Sequence, residues 1–260
     1  GSSTTADGGV FMLLGRWASA TGLAVLVGVM VTIGWLAPDQ VGSRRSGRVL
    51  AGAAVLAGIG TVAMIATQSS LLNGSWSPVG WSDVLDTRSG RWWFARLIPV
   101  ALAPAAIRLR SALTATRRGR FMTGAASVAT LAVYAAGGHA VTGRWVAIGF
   151  AATVAHLAAM AIWLGALVVL AAIVVPARLM RVARSFSPLA FATVGVLAVS
   201  GTVNAVRQLS SIGDFTDTSY GRWLLVKLAV VIVVITIGAV SRQTLSMAGV
   251  ANPSTPDPTN

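Results

Sequence analysis

The chain has 260 residues, of which 55% are hydrophobic and only 10% are charged, and its formal net charge is +13. Its mean hydropathy of +0.76 is far above that of a soluble domain, so the composition predicts a membrane protein. The absence of cysteine excludes disulfides, thiolate metal sites and iron–sulfur clusters. The cations lie in short loops between apolar runs, which indicates membrane topology and not nucleic-acid binding.

Seven apolar segments are long enough to cross a bilayer, whose hydrocarbon core of about 30 Å needs roughly 20 helical residues. The third contains Arg96, Pro99 and Pro104, and prolines are tolerated in a membrane helix where neighbouring helices satisfy the backbone. We therefore predict an all-α fold, a polytopic transmembrane bundle of about seven helices, at residues 10–37, 47–70, 91–110, 120–138, 146–175, 187–208 and 221–241.

The ends of the chain differ in character from the apolar segments. Residues 1–9 are interpreted as a tag scar and linker, residues 10–245 as a single transmembrane domain, and residues 246–260 as a disordered, proline-rich polar tail. We expect a removed signal or a preceding exported domain to deliver the N-terminus to the outside.

The basic residues predict the orientation of the bundle. One set of alternate loops is rich in arginine, and the other set carries fewer cations together with four aspartates. The positive-inside rule then places the N-terminus outside and the C-terminus in the cytoplasm. The arginines on the predicted inner side are Arg44, Arg45, Arg48, Arg108, Arg110, Arg117, Arg118, Arg120, Arg178, Arg181, Arg184 and Arg242.

His156 and Met160 are the most informative pair of side chains. They lie four residues apart in the fifth segment, so an imidazole and a thioether project from one helical face. His156 is eleven residues beyond Trp145, which is about 16 Å into the membrane at 1.5 Å per residue. Ionisable groups at that depth are functional candidates, although a histidine bonded to a neighbouring helix is the structural alternative.

Neutral nitrogen and sulfur donors in a lipid environment suit copper, with Cu(I) favoured. Further candidate ligands are His139 at the outer mouth, Met12 near the outer surface and Met64 deeper in the second segment. We expect a non-enzymatic protein, because the chain has no glutamate and no acid near either histidine, so neither a serine triad nor a metalloprotease site can be assembled.

A b-type haem protein uses the same residues and is the alternative. His139 and His156 would then be axial ligands, and cations near the outer boundary would hold the propionates. For those cations, which include Arg16, Arg96 and Arg207, we favour snorkelling to head groups and pairing with loop aspartates.

A polar stretch lies in the outer half of the sixth segment. Ser200, Thr202 and Asn204 are predicted to bond across to other helices, and Gly201 would let a neighbouring helix approach closely.

Four segments follow one another in the second half of the chain: GGHAVTGRW, AHLAAMAIWLGAL, SFSPLAFATVGVLAVSGTVNAV and TSYGRWLLVKLAVVIVVITIGAVSRQ. In this order they resemble the copper resistance protein D (CopD) family. The resemblance covers residues 120–245 well and the first three helices loosely. It implies an inner-membrane protein that moves copper from the periplasmic side towards the cytoplasm. It also implies a CopC-like periplasmic copper carrier, or a fused domain of that type, as partner, and His139 and His156 as metal residues.

Overall fold

The computed structural model describes residues 3–74, 78–138 and 145–208. All of them except Gln208 belong to one compact unit, Gly1–Arg207. The described residues form seven α-helices and no strand, so the predicted all-α bundle is confirmed. The helices are α1 (Ser3–Leu36), α2 (Arg44–Asn73), α3 (Trp81–Asp86), α4 (Arg88–Ala115), α5 (Arg117–Ala136), α6 (Val146–Val168) and α7 (Leu179–Gln208).

Five of the described helices are long and apolar enough to cross a membrane, which makes the chain a multi-pass membrane protein. α5 is not among them, since three arginines occupy its first turn and lower its hydropathy. The predicted segment 221–241 and the predicted tail lie outside the described residues. The five spans are Gly9–Leu36, Arg44–Asn73, Arg88–Ala115, Val146–Ile173 and Pro176–Arg207.

Helix boundaries differ from the prediction in three places. α1 begins at Ser3, although its span suited to lipid begins only at Gly9. The short helix α3 precedes α4 and was not predicted, because six residues carry too little periodicity to be recognised. α6 ends in a π-helical turn, Val169–Ile173, where a continuous helix was expected.

Hydroxyl side chains cap the N-termini of three helices. Ser43 accepts a hydrogen bond from the backbone N–H of Ser46 at the start of α2. Thr87 and Thr116 act in the same way at the starts of α4 and α5, at 2.9 Å and 3.0 Å. Each cap satisfies a backbone donor that has no partner inside its helix.

α1 is the central helix, with 67% of its spanning segment buried against only 6% in α4. It packs against both α2 and α6. Gly22 lies directly on the backbone of α2 at Ala53 and Ala57, and Gly28 lies directly on that of α6 at Ala161 and Gly165. Small residues at such crossings allow membrane helices to approach closely, which increases their van der Waals contact.

α1 and α6 run in the same direction. Ala24 and Val27 of α1 share a buried cluster with Ala161 of α6. Further along both helices, Ile33 of α1 shares a second cluster with Val169, in the π-helical turn. The first turns of α6 therefore lie beside the N-terminal half of α1.

Candidate functional site

His156 and Met160 lie on an uninterrupted stretch of α6, so their side chains project from one face, one turn apart. Both side chains are half-buried. Residues 3–74, 78–138 and 145–208 contain no group of three or more histidine or acidic side chains that could hold a metal ion. A metal ion on this face would therefore be held by imidazole and thioether donors.

The imidazole of His156 faces α7. Its Nδ1 lies 3.1 Å from the hydroxyl oxygen of Ser200. A β-carbon at Gly201 would lie 3.5 Å from Cε1 of the ring, so the ring packs directly on the glycine backbone. The side chain is thus held in a helix interface and does not point outward to the acyl chains.

The hydroxyl of Ser200 determines which ring nitrogen carries the proton. Its oxygen is 2.5 Å from the carbonyl oxygen of Val196, to which the single hydroxyl proton is donated. Ser200 must then accept from His156, so we assign the proton to Nδ1 and the lone pair to Nε2. Metal-bound histidines commonly donate one ring N–H to a protein acceptor in this way while the other nitrogen binds the metal.

Two further contacts continue this interface towards the start of α6. The hydroxyl of Thr153 donates to the side-chain oxygen of Asn204 at 3.2 Å. The guanidinium of Arg207 lies against Gly149, where a β-carbon would overlap it. We name these residues the polar seam: Gly149, Thr153 and His156 of α6 with Ser200, Asn204 and Arg207 of α7.

The polar seam confirms the predicted cross-helix bonding of Ser200 and Asn204, and the close approach at Gly201. The prediction was wrong for Thr202, whose exposed hydroxyl donates to the carbonyl of Ala198 in its own helix at 2.8 Å. The reason is geometric: residues 200 and 204 share a helical face, whereas residue 202 lies on the other side.

The remaining predicted ligands are placed elsewhere. Met64 is fully buried between α1 and α2, and a β-carbon at Gly15 would lie 3.0 Å from its Cγ. Met12 is half-buried on α1, one turn before Gly15. Met64 and His156 therefore pack into different helix interfaces. His139 lies outside the described residues.

The prediction that Arg96 snorkels to the head groups was wrong. Its side chain is only 4% exposed and its guanidinium carbon lies 4.0 Å from the centre of the Tyr134 ring. Nη2 donates to the carbonyl oxygen of Tyr134 at 3.1 Å. Gly137 makes room for it, since a β-carbon there would lie 2.8 Å from Nη2. Buried Nε has no hydrogen-bond partner in the described part of the chain.

Sequence reasoning assigned Arg96 to the surface because it weighed only depth along the helix. A signal was nevertheless available: one apolar segment contains an arginine, and the next ends with a tyrosine, two alanines and two glycines. An aromatic face with a small neighbour is a site where a guanidinium can be buried.

Comparison with known proteins gives two matches. Residues 5–145 match the family described as "Copper resistance protein D-like, N-terminal domain", and residues 180–257 match the family described as "Copper resistance protein D". The first match extends the resemblance over the N-terminal helices. Residues 146–179, which include His156 and Met160, lie between the two matches. No curated protein and no solved structure matches the chain.

Proposed function

Because the chain belongs to the copper resistance protein D family, whose members are copper resistance membrane proteins, we propose that it moves copper ions across the membrane through histidine and methionine ligands. His156 and Met160 form the central ligand pair of this proposal. The observation that supports it most is the hydrogen bond from His156 Nδ1 to Ser200, because metal-bound histidines commonly donate one ring N–H to a protein acceptor in this way.

Cu(I) is the cargo that this donor pair suits. Thioether sulfur and neutral imidazole are soft or intermediate ligands, and neither adds a negative charge to the apolar interior. Two such ligands bind the ion weakly enough for release, whereas a closed site with several thiolates would retain it. The pair is therefore better suited to passing copper on than to storing it.

Two other methionines, Met12 and Met64, are the candidate ligands nearer the outer side. Met12 lies near the start of the first span. Met64 belongs to α2 and packs against Gly15 of α1, one turn beyond Met12. Together with His139, which is predicted to lie at the outer mouth, these residues would form the outer part of the pathway, and an ion would then have to pass around α1 to reach His156 and Met160, because Met64 packs between α1 and α2. The flexible, polarisable thioether of Met64 can serve as core packing and as a temporary ligand.

The direction of movement follows from the predicted topology. If the arginine-rich loops face the cytoplasm, the Met12 end of the pathway opens to the periplasm of a bacterial inner membrane. A CopC-like copper carrier, or a fused domain of that type, would then supply the ion at that end. The protein would act as a transporter and would catalyse no covalent chemistry.

Copper binding by the purified chain tests the ligand assignment. Cu(I) affinity is measured by competition with a chromogenic chelator for the unmodified protein, His156→Ala and Met160→Leu. Each substitution is expected to weaken binding more than about 100-fold, because loss of a ligand should exceed the 10–100-fold effect of losing a residue that hydrogen-bonds a ligand. Met180→Leu is the matched control, since Met180 is 59% exposed and lies in the first turn of α7.

Two results would contradict the ligand assignment. Unchanged affinity in the His156→Ala, Met160→Leu double variant would remove these residues from the pathway, and a Soret band in the purified protein would favour a haem site. Proteoliposomes with a Cu(I)-sensitive dye inside test transport separately. No signal above empty vesicles, in a chain that binds copper, would limit the function to binding.

A further inference from the structure

A long groove runs between α2 and α4, away from the polar seam. Its volume is about 850 Å³, and ten of its eleven described lining residues are apolar or glycine. The exception is Arg108 of α4. Four of the seven lining residues on α2 are small, and the other three are aliphatic: Ala51, Ala54, Gly58 and Ala63, with Val55, Ile59 and Val62.

The length of the groove corresponds to one leaflet of a bilayer. Ala51 and Ala63 line it twelve residues apart on α2, a distance of about 18 Å along a helix. Half of a hydrocarbon core is about 15 Å. A single acyl chain entering from one membrane surface would therefore reach from one end of the groove to the other.

Arg108 lies at the end of the groove nearest a membrane surface. Two residues later, Arg110 donates to the carbonyls of Val41 and Gly42, just before α2 begins, which places the Arg108 end of α4 beside the start of α2. The exposed arginines at positions 44, 45 and 48 lie in the first turns of α2 at this same end. Nearby Asp39 is paired with Arg178.

We propose that this groove binds an anionic phospholipid, with one acyl chain between α2 and α4 and the phosphate held by Arg108. An apolar channel of one-leaflet length with a cation only at its surface end is complementary to a lipid with a negative head group. The surrounding arginines raise the local concentration of anionic lipid, and a basic pocket between membrane helices recognises such head groups.

Native mass spectrometry of the full chain, released from detergent after incubation with equal amounts of phosphatidylglycerol and phosphatidylcholine, tests the proposal. The unmodified protein is expected to retain phosphatidylglycerol preferentially. Arg108→Gln should reduce that preference about fivefold, the effect of removing one cation near the head group. Arg118→Gln is the matched control, because Arg118 is an exposed arginine in the first turn of α5 that does not line the groove.

A groove-filling variant tests the position of the acyl chain. Ala51→Phe should lower retention of both lipids, and Val55→Phe should do the same from an exposed lining position. Circular dichroism and the elution volume in size-exclusion chromatography show whether each variant has folded. If one of the two has not, the result for the other decides the test. Equal effects of Arg108→Gln and Arg118→Gln would overturn the proposal. So would a groove-filling variant that changes the oligomeric mass while lipid retention stays the same, because a second copy would then occupy the groove.

Discussion

The guanidinium carbon of Arg96 lies 4.0 Å from the centre of the Tyr134 ring, and Nη2 of the same side chain donates to the Tyr134 carbonyl. One side chain of α4 therefore contacts both the aromatic group and the backbone near the end of α5. A cation at a helix C-terminus also interacts favourably with the helix dipole. This contact fixes the point at which the chain leaves α5 for the segment that contains His139.

The ring of Tyr134 is expected to stabilise the protein through Arg96. Tyr134→Leu removes the ring and keeps the backbone carbonyl, so the midpoint of thermal unfolding should fall by the equivalent of about 1–2 kcal/mol, as expected for a desolvated cation–π contact. Tyr134→Phe keeps both partners of Arg96 and should leave the midpoint almost unchanged. Equal losses in the two variants would mean that the phenol hydroxyl matters and the ring does not.

Gly28 is expected to tolerate no side chain. Gly28→Ala would place its β-carbon on the carbonyl of Ala161, and a backbone group cannot rotate away, so we expect a loss of about 1–3 kcal/mol in the free energy of unfolding. Gly52→Ala on α2 is the control, because a β-carbon there meets nothing within 4 Å. It should gain up to about 1 kcal/mol from helix propensity. Denaturant titration in detergent compares the two, and a neutral Gly28→Ala would contradict the close crossing.

The hydroxyls of Ser19 and Thr61 are expected to be energetically coupled. Their oxygens lie 2.8 Å apart in the interface of α1 and α2, and Thr61 donates its proton to the carbonyl of Ala57, so Ser19 is the donor of the pair. A cycle of Ser19→Ala, Thr61→Val and the double variant should give a coupling of about 0.6–1.7 kcal/mol. Strictly additive losses in unfolding free energy would contradict the bond.

Ser200 is expected to position His156 for copper. Ser200→Ala removes the acceptor of the Nδ1 proton, so Cu(I) affinity should fall about 10–100-fold while the proposed ligands His156 and Met160 remain. Ser200→Thr keeps the hydroxyl and should restore most of the affinity. Thr202→Val is the control, since its hydroxyl bonds within α7. An equal effect of Ser200→Ala and Thr202→Val would point to general loosening of the helix.

Much of the fold could be predicted because lipid leaves the sequence few options. Apolar runs of sufficient length must be helices, and the structure places helices at each predicted segment in its described part. The cross-helix bonds of Ser200 and Asn204 could also be anticipated, since a hydroxyl or amide in an apolar surrounding needs a partner. Ser200 and Asn204 are four residues apart, so they lie on the same face of the helix.

The contacts of single side chains could not be predicted in the same way. The sequence indicates how deep Arg96 or Met64 lies, but the direction in which each points depends on which helices are neighbours. That choice is made by close crossings such as Gly28 with Gly165, and a glycine in an apolar run does not reveal its partner. Burial of Arg96 beside Tyr134, and of Met64 beside Gly15, followed from that packing.

The crossing of α1 and α6 also limits how the protein can move. Where Gly28 and Gly165 meet, main chain touches main chain, so no rotamer change can separate the two helices or let one slide along the other. α1 and α6 therefore move together as one rigid unit. On the pathway proposed above, an ion on the other face of α6 would be admitted by a shift of α7, whose contacts at the polar seam include hydrogen bonds that can be exchanged.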